Sequence, residues 1–156
     1  MITLNPHEHH CQVIAIVGYP QTGKKTIIHY LSSLHPQDQF IPFHVTPDNY
    51  NNIAKMISSF HCHQIVIVCY AGQFKRDLKL FTHIHPYFQN IIVCLNFMDQ
   101  AYLQQIDIPL YPLAQFLQVP LITTIAHQHK GLSLLEFCYI IEKDQLLRNL
   151  NNWHFL

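Results

Sequence analysis

The stretch V-I-A-I-V-G-Y-P-Q-T-G-K-K-T, Val13 to Thr26, runs a short β-branched apolar segment into two glycines and two adjacent lysines. A phosphate loop reads G-x-x-x-x-G-K-[ST]; the pattern is met at Gly18, Gly23 and Lys24 and fails at Lys25. In such a loop backbone N–H groups wrap an anion, the following helix adds a favourable dipole, and the lysine places a point charge between the outer phosphates. Gly18, Tyr19, Pro20, Gln21, Thr22, Gly23, Lys24, Lys25 and Thr26 are therefore the candidate phosphate-contacting residues. The competing reading is a glycine-containing strand-to-helix turn whose lysines face solvent.

Outward from this loop the alternation of strand and helix continues. Short β-branched runs recur at Val13 to Val17, Phe40 to Val45, Ile65 to Tyr70, Ile91 to Leu95 and Leu121 to Thr124. Each is nearly continuous in apolar character, as strands covered on both faces require. Between them lie segments of helical spacing: the stripe Ile27, Ile28, Leu31 and Leu34, then Asn49 to Phe60, Arg76 to Ile84, Leu110 to Leu117 and Leu132 to Leu147. This order implies right-handed crossovers and a doubly wound α/β domain with a mostly parallel five-stranded sheet. Ligands of such sheets gather at the carboxyl ends of the strands, where strand order reverses.

A chain of 156 residues with 49% hydrophobic content suits one domain. Residues 12–150 are expected to form it, with flexible tails at 1–11 and 151–156. Nine basic and nine acidic residues balance, so no global field attracts nucleic acid or an anionic membrane. The longest apolar run, Ile65 to Ala71, is far short of the roughly 20 residues that span a bilayer, and the N-terminus lacks the basic-then-apolar design of a signal peptide. A cytoplasmic protein without a transmembrane segment is expected. The five scattered cysteines are expected to be reduced.

A second chemical element, I-I-V-C-L-N-F-M-D, ends in Asn96 and Asp99. Asparagine and aspartate three apart at a strand's carboxyl end can read guanine, the carboxylate accepting from the ring N1–H and the exocyclic amine. An Asx turn or helix cap is the alternative. The order strand, phosphate loop, N-F-M-D and then V-P-L-I-T-T-I-A-H-Q-H-K-G-L-S-L-L resembles the G domain of the bacterial ferrous-iron transporter FeoB. That family carries a GKT or GKS loop, N-x-x-D, and a G-V-P-V-V-x-T-S-A loop followed by a glycine, matched here around Val119, Pro120, Ala126 and Gly131. The stretch I-V-C-Y-A-G-Q-F-K-R-D-L-K-L also resembles the family's V-V-D-A-x-x-L-x-R-N-L-x-L, with Ala71, Arg76 and Leu78 in register. The resemblance implies a P-loop NTPase, small-GTPase-like fold. It also implies a guanine site at Asn96, Phe97, Asp99, Ile125 and Ala126, with Phe97 covering one face of the base and the Ala126 N–H reaching the guanine oxygen.

Departures from the family shape the expectation. The chain is short between Leu34 and Phe40, where the family keeps its first switch and second strand, so a strand order of 2-1-3-4-5 is expected. At the second switch the family reads D-L-P-G-T-Y and this chain V-T-P-D-N-Y, Val45 to Tyr50, so the magnesium-shell aspartate is Val45 and the glycine at the terminal phosphate is Asp48. Ile125 replaces the serine of the S-A pair. The ligand expected is GDP or GTP, with magnesium doubtful and hydrolysis weak or absent; a link to ferrous-iron uptake through a membrane iron transporter or another protein partner is implied. Two alternatives stay open. One is an interaction module that has lost the nucleotide. The other is a metal-binding accessory built on the clusters among the 13 histidines: His7, His9, His10 and Cys11; His61, Cys62 and His63; His83 and His85; His127 and His129.

Overall fold

A computed structural model of the chain describes residues 11–143. Strands β1 (Val13–Gly18), β2 (Gln39–His44), β3 (Gln64–Tyr70), β4 (Ile91–Asn96) and β5 (Leu121–Thr123) form one sheet. Its order is β2-β1-β3-β4-β5 and every pairing is parallel, as the sequence led us to expect. Period-two alternation explains the near-continuous apolar runs. Along β1, Ala15 and Val17 enter one core and Ile14 and Ile16 the other; β3 and β4 divide in the same way.

Helices α1 (Lys24–Leu34) and α7 (Leu132–Lys143) cover one face through Ile27, Leu31, Leu132, Leu135 and Tyr139. The other face is covered by α2 (Ile53–Ser58), α3 (Phe74–Asp77), α4 (Lys79–Ile84), α5 (Met98–Leu103) and α6 (Leu110–Leu117). The chain leaves β1 for β2 on one side and later returns to place β3 on the other, so the switch point lies between the carboxyl ends of β1 and β3.

The helices differ from expectation in detail. The segment expected at 49–60 opens as a 3₁₀ turn, Tyr50–Asn52, before α2, and that expected at 76–84 is split at Leu78 into α3 and α4. Helix α5 was not foreseen; it has six residues, too few to show a period. Leu34, expected on the buried stripe of α1, is the last residue of that helix and is exposed. The end of the helix expected at 132–147, the domain boundary at 150 and most of both tails lie outside the described residues. Among the described residues no helix is long and apolar enough to cross a membrane.

Candidate functional site

Strand β1 delivers the chain into the phosphate loop at Gly18. A Cβ there would collide with the Val68 carbonyl of β3, so only glycine lets the two strands meet at the switch point. The Gly18 carbonyl accepts from the Val45 N–H at 2.9 Å, which fastens the loop to the end of β2. Thr22 Oγ1 donates to the Tyr19 carbonyl at 3.0 Å. At the far end Gly23 adopts φ +94°, and a Cβ would run into Asn96 Nδ2.

Lys24 is only 3% exposed. Its Nζ donates to the carbonyls of Gly18 (2.9 Å) and Tyr19 (2.6 Å) and faces Thr22 Oγ1 at 3.4 Å, which occupies all three ammonium donors. Burial pushes its pKa from the usual 10.5 down to about 8, and the Asp77 carboxylate opposes that fall. A phosphate entering the loop therefore draws Lys24 away from existing acceptors. Pro20, Gln21, Lys25 and Thr26 are exposed, the last two on the first turn of α1. Tyr19 is half-buried, with the Arg76 guanidinium 4.5 Å above its ring.

The base side is tied to this loop by one residue. Asn96 is buried; its Nδ2 donates to the Thr22 carbonyl at 3.0 Å, and its Oδ1 accepts from Thr124 Oγ1 at 2.9 Å and the Ala126 N–H at 3.0 Å. Asn96 thus splices three loops, with its Oδ1 fully taken up by two donors. The Ala126 N–H, expected to face a guanine oxygen, is engaged with Asn96. Ile125 exchanges backbone hydrogen bonds with Lys130 at 3.0 and 3.2 Å, closing the loop after β5. Phe97 adopts a left-handed conformation, φ 61° and ψ 42°, which is strained for an aromatic residue. That turn brings Asp99 into the crevice. Asp99 Oδ1 is buried and has no hydrogen-bond partner, while Oδ2 lies 3.8 Å from His127 Nε2. The His127 and Phe97 rings lie nearly parallel, 28° apart with centroids separated by 6.0 Å.

Sequence reasoning missed Thr124 and Asp77, and it named His127 only as a metal-ligand candidate paired with His129, whereas it lies against Asp99 and Phe97. Thr124 and His127 flank a motif already identified, so adjacency was the available signal. Asp77 is 1% exposed and accepts from the Tyr70 N–H and from Arg76 Nε, each at 2.8 Å. In the sequence it is one charge among several in K-R-D-L-K.

The outer end of the phosphate site differs. Val45 is wholly buried in the core, and the turn after it is closed by Asn49, which accepts from the Thr46 N–H and donates to the His44 carbonyl, both at 2.8 Å. Asp48 is exposed. The residues present do not fit magnesium: a protonated Lys25 has no lone pair, and Val45 has no carboxylate. Among the described residues no three His, Cys, Asp or Glu side chains are grouped to hold a metal ion. His63 Nδ1 accepts from the Val13 N–H at 3.0 Å, and the rings of His83, His85 and His129 pack on Tyr50, Phe81 and Tyr30. His7, His9 and His10 lie outside the described residues. The buried Cys94 thiol is pushed up to about 12 by burial.

Comparison with known proteins follows this geometry. The family described as ferrous iron transport protein B matches residues 45–137, beginning after the end of β2, so the phosphate loop and α1 lie outside the matched stretch. The fold is similar to the FeoB G domain of Methanococcus jannaschii, with a TM-score of 0.72 and 22% identity over 85% of this chain and 97% of that one. It is also similar to the FeoB G domain of T. maritima, at 0.69 and 17% over 86% and 99%. A third likeness is to S. thermophilus NFeoB bound to GDP.AlF4- and K+, at 0.71 and 17%; there this chain covers 61% of the other and 83% of its own length. No curated protein matches the sequence.

Proposed function

The chain belongs to the family of ferrous iron transport protein B, and from that premise we propose that it binds guanine nucleotides through Asp99 and the Gly18–Thr26 loop, with little or no hydrolysis. One observation carries the reading. At a junction where Asn96, Thr124 and the Ala126 N–H satisfy one another, Asp99 Oδ1 alone is buried and unpartnered. A buried carboxylate oxygen without a donor is costly, and the N1–H and amine of guanine are donors that fit it, whereas adenine offers no such pair. S. thermophilus NFeoB variants have been solved bound to GDP and to GMPPNP, which supports the same ligand class here. Diphosphate is the form best matched: the Lys24 loop is intact, and the groups expected to sense a terminal phosphate, at Val45 and Asp48, are replaced. Titration with fluorescent GDP, GTP and ADP tests the reading. Saturable binding that prefers guanine supports it, and equal affinity for ADP overturns it.

A second reading is favoured by the closed state of the loop, in which Lys24 spends its donors on its own backbone. The fold then serves as an interaction module, without nucleotide, for a membrane iron transporter or another protein. Absence of binding by either guanine nucleotide at high micromolar concentration selects this alternative.

A further inference from the structure

We propose that His127 occupies the base site of the nucleotide-free protein as an intramolecular stand-in for guanine, and that its protonation makes guanine binding weaken in acid. This rests on the guanine reading above and adds a regulation of that same site.

The contacts of His127 copy those that a base would make. Its ring lies 28° from the plane of Phe97, the residue expected to cover the base, and its Nε2 faces Oδ2 of Asp99, the carboxylate expected to read it, at 3.8 Å. A flat base held between two rings needs roughly 7 Å, twice the stacking spacing of about 3.4 Å, whereas these two centroids are 6.0 Å apart. Base and imidazole therefore cannot share the face of Phe97 as the rings now stand. Asp99 Oδ1 points the same way: it is buried although nothing bonds to it, so a donor reaches it only after a neighbouring side chain moves. His127 is free to be that side chain. Phe97 is fixed in its left-handed turn, and the backbone around His127 is tied down by the Ala126 N–H on Asn96 and by the Ile125–Lys130 pair. The imidazole itself is 50% exposed and swings aside on its own torsions.

Charge decides how firmly the stand-in holds. A neutral ring with its hydrogen on Nδ1 accepts at Nε2 from the Gln128 amide, 3.4 Å away; once protonated, Nε2 has no lone pair left and donates toward Asp99 as an ion pair. The N1–H and amine of guanine need that same carboxylate. The empty site then carries a proton that the complex must release, so affinity falls as pH falls through the range in which an imidazole charges. The other ionisable side chains on the elements around this turn are Lys24, Lys25, His29 and Tyr30 of α1, Tyr102 of α5, and His129 and Lys130 of its own loop. None is a carboxylate, so none competes with Asp99 for the imidazolium. Lys24, pushed down to about 8 by burial, only gains charge on acidification, which acts in the opposite sense by favouring phosphate.

The test titrates fluorescent GDP into the native chain, His127→Ala and His127→Gln at about pH 7.5 and about pH 5.5, toward the two ends of the range in which imidazole charges. Removing the ring should tighten GDP about threefold at the higher pH and about tenfold at the lower, where the ion pair adds to the ring contact. The phosphate of the nucleotide takes up a proton near pH 6 as well, so the quantity read is the ratio of variant to native affinity at each pH, in which that effect cancels. His127→Gln keeps bulk without a titrating charge, and its affinity relative to His127→Ala should be the same at both pH values. Unchanged or weaker GDP binding in His127→Ala would show that the ring supports the base and does not replace it, which overturns the proposal. A native-to-variant ratio that ignores pH overturns it as well. If neither the native chain nor His127→Ala binds a guanine nucleotide, the guanine reading itself falls, and the stand-in with it.

Discussion

The loops around Asn96 and the turn around Val45 both hang from the carboxyl edge of one sheet, and they are built in opposite ways. On the base side a buried polar residue holds three loops by hydrogen bonds and one carboxylate oxygen is left over for a ligand. On the outer-phosphate side an apolar residue fills the core and the turn closes on itself through Asn49. A buried hydrogen-bond network demands complete partners and tolerates little change, whereas a turn whose anchor is apolar stays folded with no ligand at all. The base and inner-phosphate half is therefore held by a polar network, while the outer half is held by packing.

Asn96→Ala breaks that contrast with the largest effect. It leaves the Ala126 N–H and the Thr22 carbonyl without a side-chain partner and Thr124 Oγ1 with only the Cys94 thiol, at a cost of about 4 kcal/mol in total. Thermal or denaturant melting should show a loss of this size. A loss under about 1 kcal/mol would mean that the junction is wet, and that the two regions are not built differently.

Asp99→Ala separates binding from folding. It removes one oxygen that has no partner and one that lies 3.8 Å from the half-exposed His127, a pairing worth at most about 1 kcal/mol, so the melting midpoint should move little. GDP affinity should fall by about 5- to 150-fold, the equivalent of about 1 to 3 kcal/mol for a polar group left unpaired in the complex, with ADP unchanged. Equal losses for GDP and ADP would show that Asp99 supports the loop and does not read the base.

These two residues show what could be read from the sequence. The strand runs and the phosphate-loop pattern were legible because short apolar runs and glycine spacing are local signals, whereas the sheet order came with the family resemblance. That Asn96 and Asp99 belong to one site was legible too, but not the division of labour between them. Asn96 faces inward because Gly23 lacks a Cβ where Nδ2 must pass, 73 positions earlier in the chain. No local pattern carries that contact. Helix α5 escaped for a related reason, since its start depends on Phe97 adopting a left-handed conformation that a phenylalanine rarely takes. Asp77 was invisible because burial, which distinguishes it from the neighbouring charges, is a property of the fold.

Hydrolysis probes the outer half directly. Turnover requires a positioned water and stabilised charge on the transferred group, and the places the resemblance assigns to the second switch hold Val45, buried in the core, and the exposed Asp48. The rate of GTP cleavage should stay at or below the slow intrinsic range of small GTPases, on the order of 10⁻⁴ per second. Phosphate release at tens of turnovers per minute, abolished in Lys24→Ala, would show that the outer half is active through residues of another element.

The smallest expected effect concerns magnesium. In a complete phosphate loop the hydroxyl after the lysine and an aspartate of the second switch hold the metal's shell together; here those places are Lys25 and Val45. Lys25 is exposed on the first turn of α1, and its ammonium repels a nearby divalent cation. Thr26 is one position on and rotated by about 100°, so its hydroxyl does not replace the missing ligand. Removing magnesium with EDTA should therefore change GDP affinity by less than about twofold, an energy below roughly 0.4 kcal/mol. Lys25→Ser restores the hydroxyl but not the carboxylate, and should stay insensitive to magnesium. In EDTA the same variant shows whether Lys25 touches the diphosphate: weaker GDP binding means its long stem carries the charge inward, and unchanged binding means it stays in solvent. A native affinity that collapses on chelation would show that the metal finds its ligands elsewhere, and the two halves of the site would then be equally complete.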